Sequence, residues 1–446
     1  MMPLLAWSAW LLFSIACGAL LVRWVRQTGE LIAPFPLVLA TLGFYFVPRA
    51  FYLLWFHQAP LSSAGLPYQD QLQLMTTAMV VGLLSLIAFA YGHGRQSAVN
   101  AAARIRFALP ESDPARGFWI AGAAAIVGVL CVAYLVHEAG GLGYALRHQY
   151  ELSDLLQGKK VFFEVSRLLI VPTALLLIDP VKRRSRWWVW VLAIGSGVIL
   201  YALGRRSLVA MAIGYPIALY HLTIKRIPKR FLITGGIIGG VALFSLSYIR
   251  LIPSDRLAHA LGVFVERPVA MIHFANSTGE LKVFDATTII IRDVPRDMGY
   301  TFGASFARVP WMVVPRAIWP SKPNTLGNVL LANNLPNLHT GYPPTAIGEF
   351  FVAGGWLGVM IGFLAFGWLA RTMWEWRNRN SGIGNASIYL ACCFFAFDFT
   401  RVGDPSRTVW FFLIGVSFFT IAFSLAAGFR PREGSMPYDK PLIRLT

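Results

Sequence analysis

Charge is scarce in this chain. Asp, Glu, Lys and Arg make up 13% of its 446 residues, against 56% apolar side chains and a mean hydropathy of +0.58, whereas soluble domains carry about a quarter charged residues. That deficit excludes water as the solvent for most of the chain. Acid is scarcest, with 21 Asp and Glu facing 39 Lys and Arg. Cysteine is nearly absent too: Cys17, Cys131, Cys392 and Cys393 all lie inside apolar runs, which excludes a disulfide framework and a thiolate metal site. The sequence also lacks a phosphate-cradling glycine loop after a strand, a Gly-x-Ser-x-Gly elbow and any His/Cys/Asp/Glu metal spacing. No metal or cofactor is therefore expected, and an activated sugar nucleotide from the cytoplasm is a poor candidate substrate.

What is present is apolar sequence in long runs. Runs able to cross ~30 Å of hydrocarbon fall near residues 3–22, 31–48, 72–91, 118–137, 161–179, 187–203, 208–224, 231–249, 347–370, 383–400 and 408–428. They predict an all-α, polytopic transmembrane protein of about eleven spans, with residues 1–446 forming a single integral membrane domain. The first run has no basic residue before it and Arg23 and Arg26 after it, so it reads as a retained span rather than a signal peptide.

The net charge of +18 might suggest a nucleic-acid face, but its Lys and Arg stand in short clusters between apolar runs, which is a topology signal; no nucleic acid is expected. One set of alternate connections receives Arg23 and Arg26; Arg95, Arg104, Arg106 and Arg116; Lys182, Arg183, Arg184 and Arg186; Lys225, Arg226, Lys229 and Arg230; Arg371, Arg377 and Arg379; and the C-terminal Arg430, Arg432, Lys440 and Arg444. Every connection on that side is basic, which makes it cytoplasmic, with the N-terminus outside and the C-terminus inside. The connection over residues 250–346 is roughly 95 residues long and belongs outside; loops of that length are usually functional. Its apolar stretches 261–265 and 302–320 read as amphipathic helices resting on the membrane or re-entering the protein, and 138–160 as a further surface helix.

Four constellations carry chemistry, all on that outer side. Arg205 and Arg206, between Gly204 and Ser207 where one span ends and the next begins, either snorkel to headgroups or grip phosphate bidentately. Arg308, Trp311, Arg316, Trp319 and Lys322, separated by prolines, are either an interfacial anchor or a surface for sugar rings and anions. His339 precedes Glu349, a carboxylate entering a span otherwise uncharged until Arg371. Glu349 is either salt-bridged or, at a dehydrating boundary, the base for a sugar hydroxyl; His339 is a lesser candidate for that base. Asp398, Arg401, Asp404 and Arg407 alternate in sign every three residues, which suits internal ion pairing as well as an anion site. Glu164 and Arg167 read as a structural pair. Together the arginines favour an anion, and a lipid-linked phosphate delivered through the bilayer fits best.

These residues resemble the bacterial oligosaccharide repeat-unit polymerases, the Wzy-type O-antigen polymerase family. Gly204-Arg205-Arg206-Ser207 is similar to the family's Gly-x-Arg; the stretch from Pro315 to Pro323, the segment Pro344 to Phe351 followed by Gly354 and Gly355, and Arg401-Val402-Gly403-Asp404 also carry the likeness. Val402 departs from the family's Arg-Gly-Asp element. The resemblance implies a GT-C-like glycosyltransferase of the inner membrane. Such an enzyme transfers the growing glycan from undecaprenyl diphosphate to a hydroxyl of the next lipid-linked unit at the periplasmic face, inverting and without metal. On that basis Arg205, Arg206, Arg316 and Arg401 hold the diphosphate, Glu349 or His339 is the base, and Arg308, Trp311, Trp319, Lys322 and Asp404 shape the glycan path. The implied partners are the undecaprenyl-diphosphate-linked oligosaccharide and the lipid bilayer, with a chain-length regulator and a flippase of the same pathway as further candidates. A polysaccharide ligase and a lipid-linked oligosaccharide flippase are the alternatives.

Overall fold

The structure is a computed structural model and describes residues 2–58, 66–148, 152, 156, 158–177, 183–204, 206–249, 282–314, 318–319, 321–334 and 343–428. Stretch 261–265, Arg205, Arg316, His339 and the C-terminal basic residues lie outside them. The described elements are helical and run α1 Met2–Thr28, α2 Pro34–Trp55, α3 Tyr68–His93, α4 Gln96–Arg104, α5 Pro114–Glu138, α6 Leu142–Arg147, α7 Lys160–Val165, α8 Val171–Leu176, α9 Arg183–Tyr201, α10 Arg206–Thr223, α11 Lys229–Ile249, α12 Val283–Asp293, α13 Ala304–Ala307, α14 Leu326–Asn334, α15 Thr345–Arg379, α16 Ile383–Val402 and α17 Pro405–Ala427. Short 3-10 turns at Ser166–Ile170 and Val309–Val313 join α7 to α8 and follow α13.

Each expected run is met by helix, with four differences. The run 161–179 is divided into α7, a 3-10 turn and α8; Pro172, without an N–H, removes the bond that would carry a regular helix through this point. Within the run 302–320 the described elements are α13 and a 3-10 turn rather than one amphipathic helix, because Pro310 repeats that interruption. Within 138–160, the described helix is the six-residue α6.

The fourth difference is in α15. Gly354 (φ −177°, ψ 33°) and Gly355 (φ 62°, ψ −141°) break it, and the chain reverses there. The Phe350 and Phe363 rings are 5.4 Å apart, whereas thirteen residues of unbroken helix would separate them by ~20 Å. The Phe350 ring lies over Gly362 and its carbonyl over Gly358, so close that a Cβ on either glycine would overlap them. Segment 345–353 thus folds back on 356–379 as a buried half-helix.

Three apolar cores organise the bundle. In one, α1, α2, α3, α12 and α15 surround Phe46, Phe89, Phe284 and Phe363. The closest packing is α3 on α15: Cβ atoms on Gly92 and Gly367 would stand 2.0 Å from the carbonyls of Leu364 and Phe89, so the two backbones touch. A second core gathers α5, α8, α10, α16 and α17 around Leu219, Tyr389 and Phe423, and a third joins α5, α9 and α10 around Leu135, Leu200 and Ala212. At the end of the bundle where α1 and α10 finish, Glu30 Oε1 accepts the Leu31 and Ile32 N–H groups and contacts His221 Nε2 at 2.9 Å. His221 Nδ1 accepts the Ile227 N–H at 2.8 Å, so Nε2 carries the imidazole proton toward Glu30.

Candidate functional site

The half-helix 345–353 brings Glu349 to the C-terminal end of α16. Thr345, following Pro343 and Pro344, starts it and accepts the Gly348 N–H on its hydroxyl at 3.0 Å. At the other end, the Val352 carbonyl, orphaned by the break, accepts the Thr301 N–H at 2.8 Å. Gly403, with φ +72°, terminates α16 in the left-handed conformation, and a Cβ there would fall 2.0 Å from the Thr345 carbonyl. Only glycine lets these two turns meet. Their meeting sets Asp404 close enough to Glu349 to act on it electrostatically, together with Arg308 and Ser305 from the loop. Glu349 is 2% exposed. The α16–α17 corner is held to the same loop where Trp410 Nε1 donates to the Val309 carbonyl at 2.8 Å.

Asp404 caps α17, its carboxylate accepting the Arg407 N–H at 3.2 Å. Burial pushes its carboxyl up from the ordinary carboxylate range, against the Arg407 and Ser406 N–H groups and the Arg407 guanidinium, while Asp398 adds to the rise.

A second set of charges adjoins the first. Arg401 Nη2 lies 3.3 Å from Asp398 Oδ1, and Arg167 Nε 2.8 Å from Glu164 Oε2. Glu164, Arg167, Ser207, Asp398, Arg407 and Phe411 line one small cavity, with the Arg167 guanidinium 4.0 Å over the Phe411 ring and that of Arg407 5.2 Å from it. Buried Arg407 Nε and Asp398 Oδ2 make no hydrogen bond among the described residues, so this cavity lining retains donor and acceptor capacity. Ser207, in the first turn of α10, lines the same cavity.

Among the described residues the fold thus brings Glu349, Arg308 and Asp404 together and sets Ser207 beside Asp398 and Arg407. All lie at the end of α16 opposite Arg377 and Arg379, ~30 Å away along a helix of 20 residues. Of the remaining candidates, Lys322 Nζ donates to the Val314 carbonyl at 3.0 Å, its N–H donates to the Trp319 carbonyl at 3.1 Å, and Trp311 is exposed. Sequence reasoning paired Glu164 with Arg167, as found, and named Arg407, but missed that Arg167 and Arg407 share one cavity. It also missed Asp285, whose carboxylate takes the Arg49 guanidinium by two bonds, of 3.1 and 2.6 Å.

Seven described helices are long and apolar enough to cross a membrane, and together they define a multi-pass α-helical membrane protein. Residues 126–426 match the family model described as O-antigen polysaccharide polymerase Wzy, and over that two-thirds of its length, from α5 into α17, the chain belongs to this family. Membership makes it a glycosyltransferase-like polymerase of the inner membrane that acts on lipid-linked oligosaccharides. No curated protein and no solved structure matches it.

Proposed function

We propose that the chain extends a glycan by transferring it from undecaprenyl diphosphate to a hydroxyl of the next lipid-linked repeat unit at the periplasmic face. The acceptor oxygen attacks the anomeric carbon of the donor, a C–O bond forms, the bond to diphosphate breaks, and undecaprenyl diphosphate leaves with the electron pair. In-line attack inverts the anomeric centre. Glu349 takes the hydroxyl proton, with His339 as the lesser candidate. Arg205, Arg206, Arg316 and Arg401 hold the diphosphate and stabilise charge on the leaving group, for which preorganised donors are worth several kcal/mol, and no metal is then required. Arg308, Trp311, Trp319, Lys322 and Asp404 line the glycan path. The observation that carries this reading is a buried carboxylate, Glu349, held beside Arg308 and Asp404 next to a helix break. Residues 1–446 act as one membrane domain whose 250–346 loop supplies glycan contacts, and a chain-length regulator and a flippase work beside it.

The test is reconstitution of purified protein in lipid with the undecaprenyl-diphosphate-linked repeat unit, comparing wild type with Arg206→Ala and Glu349→Gln and reading glycan length on gels. Wild type should polymerise without added metal. Loss of the base should lower the rate by roughly 10²–10⁴-fold; a fully active Glu349→Gln protein would remove Glu349 from that role. Transfer only to a different acceptor would mark a ligase, and translocation without bond formation a flippase.

A further inference from the structure

The ion pair between Arg49 in α2 and Asp285 in α12 is 236 residues apart in sequence and sealed from solvent, with Arg49 4% and Asp285 0% exposed. Lys282 stands close enough to act on the same carboxylate. Burying such a pair is a poor way to gain stability, because desolvation offsets the attraction and apolar residues of similar size often do as well. Charges give register instead: an α12 docked one turn away would strand a guanidinium in the apolar core.

What α12 touches gives that register a use. Thr287 and Thr345 share a hydrogen bond between hydroxyls at 3.1 Å. Ile290 Cδ1 lies 2.4 Å from where a Cβ on Gly348 would be, so α12 lies directly on the half-helix backbone one residue before Glu349. Thr345 also has φ +66°, a left-handed conformation that a β-branched residue keeps only where its surroundings over-determine it. Here the Thr287 hydroxyl and the backbone of Gly403 do so.

We propose that Arg49 and Asp285 are positioning residues: their ion pair fixes the register of α12, and α12 fixes the turn at Thr345 that aims Glu349. This rests on Glu349 acting as the base. The pair touches no reacting atom and acts through two layers of packing.

The experiment uses the full chain in proteoliposomes with the undecaprenyl-diphosphate-linked repeat unit, in four forms: wild type, Arg49→Gln, Arg49→Met with Asp285→Leu, and the exchange Arg49→Asp with Asp285→Arg. The apolar double variant should retain the wild-type unfolding temperature yet lose on the order of a hundredfold in kcat, the usual result of an ångström-scale misplacement, with KM within about twofold. The exchange should recover part of kcat. As a readout independent of Glu349 chemistry, Thr287→Cys with Thr345→Cys, in a background with the native cysteines replaced by alanine, should form a disulfide when Arg49 and Asp285 are present and lose it in Arg49→Gln. Full kcat and an intact cross-link in the apolar double variant would overturn the proposal. If the cross-link is lost with the pair while Glu349→Gln stays active, the positioning holds and the base assignment fails.

Discussion

At the scale of single residues, Asp404 does two jobs that conflict. As N-cap of α17 it accepts the Arg407 N–H, and as a carboxylate in a buried corner its charged form is penalised. A carboxyl whose folded pKa is raised binds its proton more tightly in the folded state. Stability is therefore undiminished below the ordinary value of 3.8, falls as pH rises from there through the higher folded value, and stays lower above it. Asparagine caps a helix about as well as aspartate and carries no charge. Asp404→Asn should therefore raise the unfolding temperature at neutral pH, and the gain should vanish as pH drops toward 3.8. A melting series in detergent across pH checks this; a gain that persists unchanged in acid would mean that burial of charge is not its cause.

At the scale of elements, the break in α15 separates two adjacent glycines by conformation. Gly355, at φ +62° and with the Tyr300 hydroxyl 3.0 Å from where a Cβ would stand, occupies space that L side chains avoid. Gly354, at φ −177°, is in extended backbone with open space where its Cβ would be. Gly355→Ala should cost about 1–3 kcal/mol of stability and disturb the hairpin that carries Glu349, whereas Gly354→Ala should be tolerated. Equal effects of the two in thermal unfolding would show that flexibility rather than a fixed reversal is needed. Hydropathy could not have revealed this reversal. The apolar run continues through Gly354 and Gly355, and an index of transfer free energy is blind to direction. The same limit hid α12: its eleven residues are too few to span a membrane, and Asp285, which marks it, has its partner 236 residues away. The runs that became α1, α3, α5, α16 and α17 were legible because hydrocarbon thickness dictates their length. Glu349 was legible for a related reason, since a carboxylate in an apolar run demands a partner or a role.

At the scale of the whole molecule, the candidate site and the basic connections occupy opposite ends of α16, which makes orientation and function one question. The proposed chemistry needs Glu349, Arg308 and Asp404 outside the cytoplasm, where lipid-linked units are presented for polymerisation. Cationic loops are retained inside, and Arg371, Arg377 and Arg379 sit at the far end of α15 from the helix break. Alkaline phosphatase joined after Arg147, between α6 and α7, should therefore be active, because it folds only outside. Green fluorescent protein joined after Thr446, or inserted at Ser381 between α15 and α16, should fluoresce, because it folds only inside. The reverse pattern would put the Glu349 cluster in the cytoplasm and remove the periplasmic transfer. A mixed pattern, with Arg147 outside and Ser381 also outside, would mean that the 345–353 half-helix and the 356–379 segment do not together make one crossing, and the reversal at Gly354 and Gly355 would then set topology as well as the position of the carboxylate.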